Sequence, residues 1–155
     1  MAVHLAAVSL VVVTVAIHAA GFHVLLRAIV LPHARARSTP GSWRVIVQLI
    51  RMTCFLILIH VVEISAWGLF YFWQGALPDA ETAFYFSGVT YTTVGYGDLV
   101  LPKPWRLLAP LEALTGILMC GLSTGLFFAV VSQWIRNWIQ RQTGLERDSA
   151  APMNK

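Results

Sequence analysis

Apolar residues run with little interruption from Ala2 to Leu31, from Val45 to Trp73, and from Trp105 to Trp138. At about 1.5 Å of rise per residue, each run is long enough to cross a hydrocarbon core of about 30 Å as a helix. The breaks between them are polar and rich in Pro and Gly. The segment PHARARSTPGSWR, broken by Pro32, Pro40 and Gly41, reads as a linker over 32–44, and QGALPD reads as a turn. After that turn comes AETAFYFSGVTY, too short to span but suited to a helix that enters half a membrane. A strip of polar and glycine residues follows, then the breaker LPKPW. The pattern predicts a peripheral N-terminal helix over 1–31, an outer helix over 45–73, a short helix over 79–91, a loop over 92–98 and an inner helix over 105–139. A short tail follows over 140–155, of which TGLERDSAAPMNK reads as mobile. The fold class expected is an all-α membrane protein with three transmembrane helices per chain and a re-entrant helix and loop.

Composition narrows the choice. The 155 residues are 57% hydrophobic and 12% charged, which leaves no room for a separate soluble domain. Cys54 and Cys120 lie inside apolar runs and read as small core residues, outside any disulfide framework. The N-terminal run has no basic leader and is too long for a signal peptide, so it is expected to remain as a helix.

The net charge of +4 is unevenly placed. Arg27, Arg35, Arg37, Arg44 and Arg51 flank or occupy the first linker, and Arg136, Arg141, Arg147 and Lys155 follow the third run. Lys103 and Arg106 alone lie between the second and third. The positive-inside rule therefore puts the linker and C-terminus in the cytoplasm and the N-terminus and polar strip outside. That is a multi-pass protein of the plasma (cell inner) membrane, not a nucleic-acid binder. The basic residues Arg35, Arg37, Arg44, Arg51, Arg136 and Arg141 are candidate contacts for anionic lipid head groups, alongside plain membrane anchoring.

The strip TYTTVGYGDLV, residues 90–100, is the main chemical signal. Irregular backbone at membrane depth has no lipid partner for its N–H and C=O groups, so it must be buried in protein or line a water-filled cavity. Gly95 and Gly97 allow the backbone conformations that line up successive carbonyls. Within it, TTVGYGD resembles the signature of the potassium channel family, and the resemblance extends over about Val45 to Ser132. It implies a selectivity filter in which Thr93, Val94, Gly95, Tyr96 and Gly97 offer oxygens that replace the hydration shell of K+. It also implies a homotetramer, since one strip supplies a quarter of a ring, with K+ as the only ion held and no other cofactor. Tyr96 argues for potassium, because sodium-permissive relatives usually carry Asp there. By the same resemblance, Thr92, Asp98, Phe84, Tyr85, Phe86 and Glu112 support the filter, with Tyr85 directed at Asp98. Val89 stands where some bacterial channels place a Glu.

The inner run, LEALTGILMCGLSTGLFFAVVSQW, is similar to the inner helix of bacterial inward-rectifier-like channels, without their cytoplasmic domain. Gly116 is then an upper hinge, and Gly121 and Gly125 are further sites of bending or close packing. Ile117, Gly121, Thr124, Phe128 and Ser132 share a face, so Phe128, with Phe127 as its neighbour, is the candidate constriction.

The ionisable residues inside the runs demand partners. His60 and Glu63 share a face near the middle of the second run, and His18 lies near the middle of the first. An uncompensated acid there costs on the order of 2.5 kcal/mol or more, which predicts a His18–Glu63–His60 cluster, either proton-sensing or purely structural. A metal site has little sequence support: His18 and His23 alone are close in sequence, and no Cys joins them. No nucleophile–base pair or cofactor motif suggests an enzyme, and no soluble substrate is expected. Two alternatives to a conducting channel stand: a modulatory membrane subunit, and a pH sensor with incidental conduction.

Overall fold

The computed structural model describes residues 2–31 and 42–150, and every regular element among them is helical. Helix α1 (Ala2–Leu25) continues into a π-helical turn (Leu26–Val30). Helix α2 spans Ser42–Trp73, α3 spans Ala80–Tyr91, and a 3-10 turn (Trp105–Leu107) leads into α4 (Leu108–Ala150). Among the described residues, three stretches are long and apolar enough to cross a membrane: Leu5–Ala28, Trp43–Trp73 and Trp105–Gln140. The protein is an all-α membrane protein with three transmembrane helices.

Helix α3 is 12 residues long, about 18 Å at the usual helical rise, and so reaches about half-way across a bilayer core. Asp79 starts it as an N-cap in extended geometry. Its carboxylate accepts from the Thr82 backbone N–H and the Thr82 hydroxyl, both at 2.8 Å, satisfying one of the donors that a helix N-terminus leaves free.

Helix α3 is seated between α2 and α4, and α1 packs on α2 and α4 of the same chain. Small residues set how closely the helices approach. A Cβ on Gly21 of α1 would stand 2.6 Å from Ile59 Cδ1 of α2, and one on Gly68 of α2 would stand 3.1 Å from the backbone of Phe84. A Cβ on Gly116 of α4 would collide with the Tyr91 carbonyl oxygen. The core has two parts. One gathers Trp67, Tyr71, Phe86, Tyr91, Leu108 and Met119 around α3; the other gathers Leu25, Met52, Leu56, Ile59 and Val130 towards the opposite ends of the long helices.

Two expectations are corrected. Helix α4 runs on to Ala150, past the expected end of the inner helix at 139 and into the segment TGLERDSAAPMNK, expected to be mobile. Six of the eleven residues 140–150 are Gln, Arg, Leu or Glu, good helix formers, and Gly144 is the weakest position there. Cys54 and Cys120 are both exposed on the surface of the chain instead of lying in its core. An apolar run in a membrane protein faces lipid or another chain as readily as its own core, so hydrophobic context does not report burial here.

Candidate functional site

The glycine strip begins where α3 ends. Its backbone turns back onto the helix: Thr92 N–H donates to the Gly88 carbonyl (3.2 Å), Thr93 N–H to Thr90 (2.9 Å) and Gly95 N–H to Val89 (3.2 Å). The Thr92 hydroxyl adds a 2.6 Å bond to the Gly88 carbonyl. The last carbonyls of α3 are thereby satisfied by the strip they carry.

Left-handed backbone recurs at every second residue of the strip: φ is +62° at Thr93, +54° at Gly95 and +79° at Gly97. Glycine adopts this freely, but for Thr93 it costs on the order of 1–3 kcal/mol, which the surrounding contacts must offset. The residues between, Val94 and Tyr96, are 52% and 72% exposed on the isolated chain. A cavity of about 340 Å³ opens beside the strip, lined by Phe86, Thr93, Gly95, Gly97, Arg106 and Ala109 among others.

The three consecutive aromatics of α3, Phe84 to Phe86, point in different directions. Phe84 lies over Gly68 of α2. Tyr85 donates to Asp98 Oδ2 at 2.8 Å, tying α3 to the far end of the strip. Phe86 is buried edge-on to Tyr71, with ring centroids 5.5 Å apart. Outside the spanning helices, the two Thr82 hydrogen bonds, backbone first, hold the Asp79 carboxyl below its ordinary range.

Two buried carboxyls flank α3. Glu112 accepts from the hydroxyls of Tyr71 (2.7 Å) and Ser87 (2.5 Å), joining α2, α3 and α4. One helical turn further along α3, Glu63 accepts from the Tyr91 hydroxyl. His18 Nδ1 lies 2.8 Å from Glu63 Oε1, and His60 Nδ1 lies 3.2 Å from Oε2 and 3.1 Å from Tyr91 Oη. Ser123 Oγ on α4 meets the other edge of both rings, 3.1 Å from His60 Nε2 and 3.5 Å from His18 Nε2. The cluster therefore touches all four helices. One turn before His18, Thr14 accepts from Trp67 Nε1 at 2.9 Å, a second buried link between α1 and α2.

The sequence did not single out Tyr71, Ser87, Tyr91 or Ser123. The available signal was an acid in an apolar run, which needs donors, with Ser87 and Tyr91 one turn apart on the same short helix. Of the two histidines close in sequence, His23 is exposed and His18 is buried, and the neighbour of His18 in space is His60.

On α4, Ile117 and Phe128 are 56% and 71% exposed, Gly121, Thr124 and Gly125 are also exposed, and Phe127 and Ser132 are half-buried. Among the described residues, and apart from the helix's own backbone, nothing lies within 4 Å of a Cβ placed on Gly121 or Gly125, whereas Gly116 is a contact point with α3. Arg27, Arg44, Arg51 and Arg136 are exposed. Arg35 and Arg37 lie outside the described residues, and Arg141 falls on α4.

Residues 57–133 match the family model described as Ion channel. The ion-channel match takes in the second half of α2, all of α3, the glycine strip and more than half of α4, just under half of the chain. It supports an ion channel and a multi-pass membrane protein, and speaks for a non-enzyme. Helix α1 lies outside the ion-channel segment. No curated protein and no solved structure matches the chain.

Proposed function

We propose that the protein is a potassium-selective channel, conducting K+ passively through a pore built by four copies of the chain. The observation that carries this reading is left-handed backbone at Thr93, Gly95 and Gly97 in a TVGYG strip hung from the end of a half-membrane helix. Alternation of this kind suits successive carbonyls that face one axis, and stacked carbonyl rings replace the hydration shell of K+. The exposure of Val94, Tyr96, Ile117 and Phe128 fits a surface that other copies cover or that faces a central path.

In this reading Thr92, Asp98, Tyr85, Phe84, Phe86 and Glu112 hold the filter, and Phe128, with Phe127 beside it, forms the constriction on α4. The chain sits in the plasma membrane with its N-terminus and filter outside, and the exposed arginines meet anionic lipid on the cytoplasmic side.

The test is a reversal potential in planar bilayers, with K+ on one side and Na+ on the other. A reversal near the potassium equilibrium value, blocked by Ba2+, is expected, with a native mass of four chains. A reversal near zero overturns potassium selectivity. Absence of current across pH and lipid composition, from protein of tetrameric mass, would favour the modulatory subunit.

A further inference from the structure

The cluster around Glu63 has a donor arrangement that channel function alone does not call for. His18, His60 and Glu63 each bring a ligand atom within 4.8 Å of the others. Both imidazoles turn Nδ1 towards the same carboxyl, and both turn Nε2 towards the same Ser123 hydroxyl. Tyr91 Oη stands beside His60 Nδ1 and against Glu63, a fourth donor atom at the same point.

With both imidazoles neutral, this ring of contacts is one proton short, a gap that a single imidazolium or a bound cation can fill. His18–Glu63, His60–Glu63, Tyr91–Glu63, His60–Ser123 and Ser123–His18 need five protons. Two neutral imidazoles, one phenol and one hydroxyl supply four. In a buried site, an unmade bond of this kind is expensive. A cation at the convergence of the Nδ1 atoms removes the shortfall. Each imidazole then offers its Nδ1 lone pair inward and its Nε2–H outward, and a serine oxygen accepts two N–H donors. Metal-bound histidines regularly donate their other ring N–H to such a partner.

We propose that His18, His60 and Glu63, with Tyr91 beside them, form a binding site for a zinc-class transition dication. Two imidazoles and a carboxylate are a donor set that Zn2+ takes. Metal–ligand bonds of 2.0–2.2 Å in a tetrahedron put neighbouring donors roughly 3.3 Å apart. The His60–Glu63 and His60–Tyr91 separations of 3.2 and 3.1 Å are already close to that, and His18–Glu63 at 2.8 Å needs a small opening. The His60 side chain is 17% exposed and provides the open side. A bound ion fastens α1 to α2 directly, and to α3 and α4 through Tyr91 and Ser123.

The site stands apart from the potassium reading, because its test reads the metal and not the current. Purified full-length protein in nanodiscs is stripped with a chelator and titrated with Co2+. One Co2+ per chain with the intense visible bands of tetrahedral coordination, displaced by Zn2+, is the expected result. His18→Gln should abolish the bands, while His23→Gln, an exposed histidine on the same helix, should keep them. Ser123→Ala should weaken binding by about 10- to 100-fold. No uptake by the wild-type protein overturns the proposal without reliance on any variant. Bands unchanged in His18→Gln overturn it as well.

Discussion

Glu63 and Glu112 are both fully buried acids in apolar helices, and both rest on α3, one through Tyr91 and the other through Ser87, a turn away. They differ in what they face. Glu112 is met by two hydroxyls, and one of them, Ser87, has a second acceptor in the Ile64 carbonyl at 2.8 Å. Glu63 is met by two imidazoles and a phenol, held from behind by Ser123. A hydroxyl rotates to suit its partner, whereas a ring nitrogen is fixed in place and either carries a proton or does not. The first acid is an adaptable brace near the strip. The second is a rigid junction of four helices with an exact demand for positive charge or protons.

The largest expected effect follows from that rigidity. Glu63→Ala leaves the buried His18 and Tyr91 and the half-buried His60 without their common acceptor, and should cost on the order of 3–5 kcal/mol. Denaturant unfolding in micelles, on chelator-treated protein, measures it; a loss below that of the Glu112 variant would invert the comparison. Glu112→Ala orphans Tyr71 but lets Ser87 turn to Ile64, so about 3 kcal/mol or less is expected. The glutamine variants sharpen the contrast. Glu112→Gln keeps an acceptor, and its amide can donate to a rotated Tyr71 hydroxyl, so little should be lost. Glu63→Gln keeps one acceptor oxygen where the carboxylate offered two to the ring nitrogens and the phenol, and should stay clearly destabilised.

The same contrast governs what could be read from the sequence. The helices were legible because run length and Pro/Gly punctuation are local properties, and Glu63 and Glu112 stood out because an acid in an apolar run must be compensated. Tyr71 and Tyr91 did not, since a tyrosine in a greasy helix counts as bulk until tertiary packing says where its hydroxyl points. His23 drew attention through its distance along the chain from His18, but helix packing chose His60, 42 residues further on. The cysteines were misplaced for a related reason: apolar surroundings in a membrane chain do not distinguish its interior from its outer face. The end of α4 was set by ordinary helix propensity, which hydropathy does not report.

Gly116 tests whether α3 and its two carboxyls act as one unit. A methyl there meets the Tyr91 carbonyl, a backbone atom with nowhere to go, because the neighbouring Tyr91 hydroxyl is anchored on Glu63. Gly116→Ala should cost about 1–3 kcal/mol through overpacking, even though alanine is the better helix former. Combined with Glu63→Ala it should cost less than the sum, since a freed Tyr91 lets α3 withdraw. Strict additivity in the double-mutant cycle would separate the hinge-like contact from the junction.

The smallest effect belongs to the exposed counterpart of these acids, Asp79 at the start of the same helix. Its carboxylate is held by the Thr82 N–H and hydroxyl, which lowers its folded pKa beneath the ordinary aspartate value of 3.8. For a depressed acid the contribution is complete above the unfolded value and is lost as pH falls through the folded one. Asp79→Ala should therefore lower the unfolding midpoint modestly at neutral pH, and the gap to wild type should close on acidification below about pH 4. Asp79→Asn, which caps without a charge, should track the wild type at neutral pH and show no such closing. A gap that persists unchanged into acid would mean that the cap acts through backbone geometry and that its charge contributes nothing.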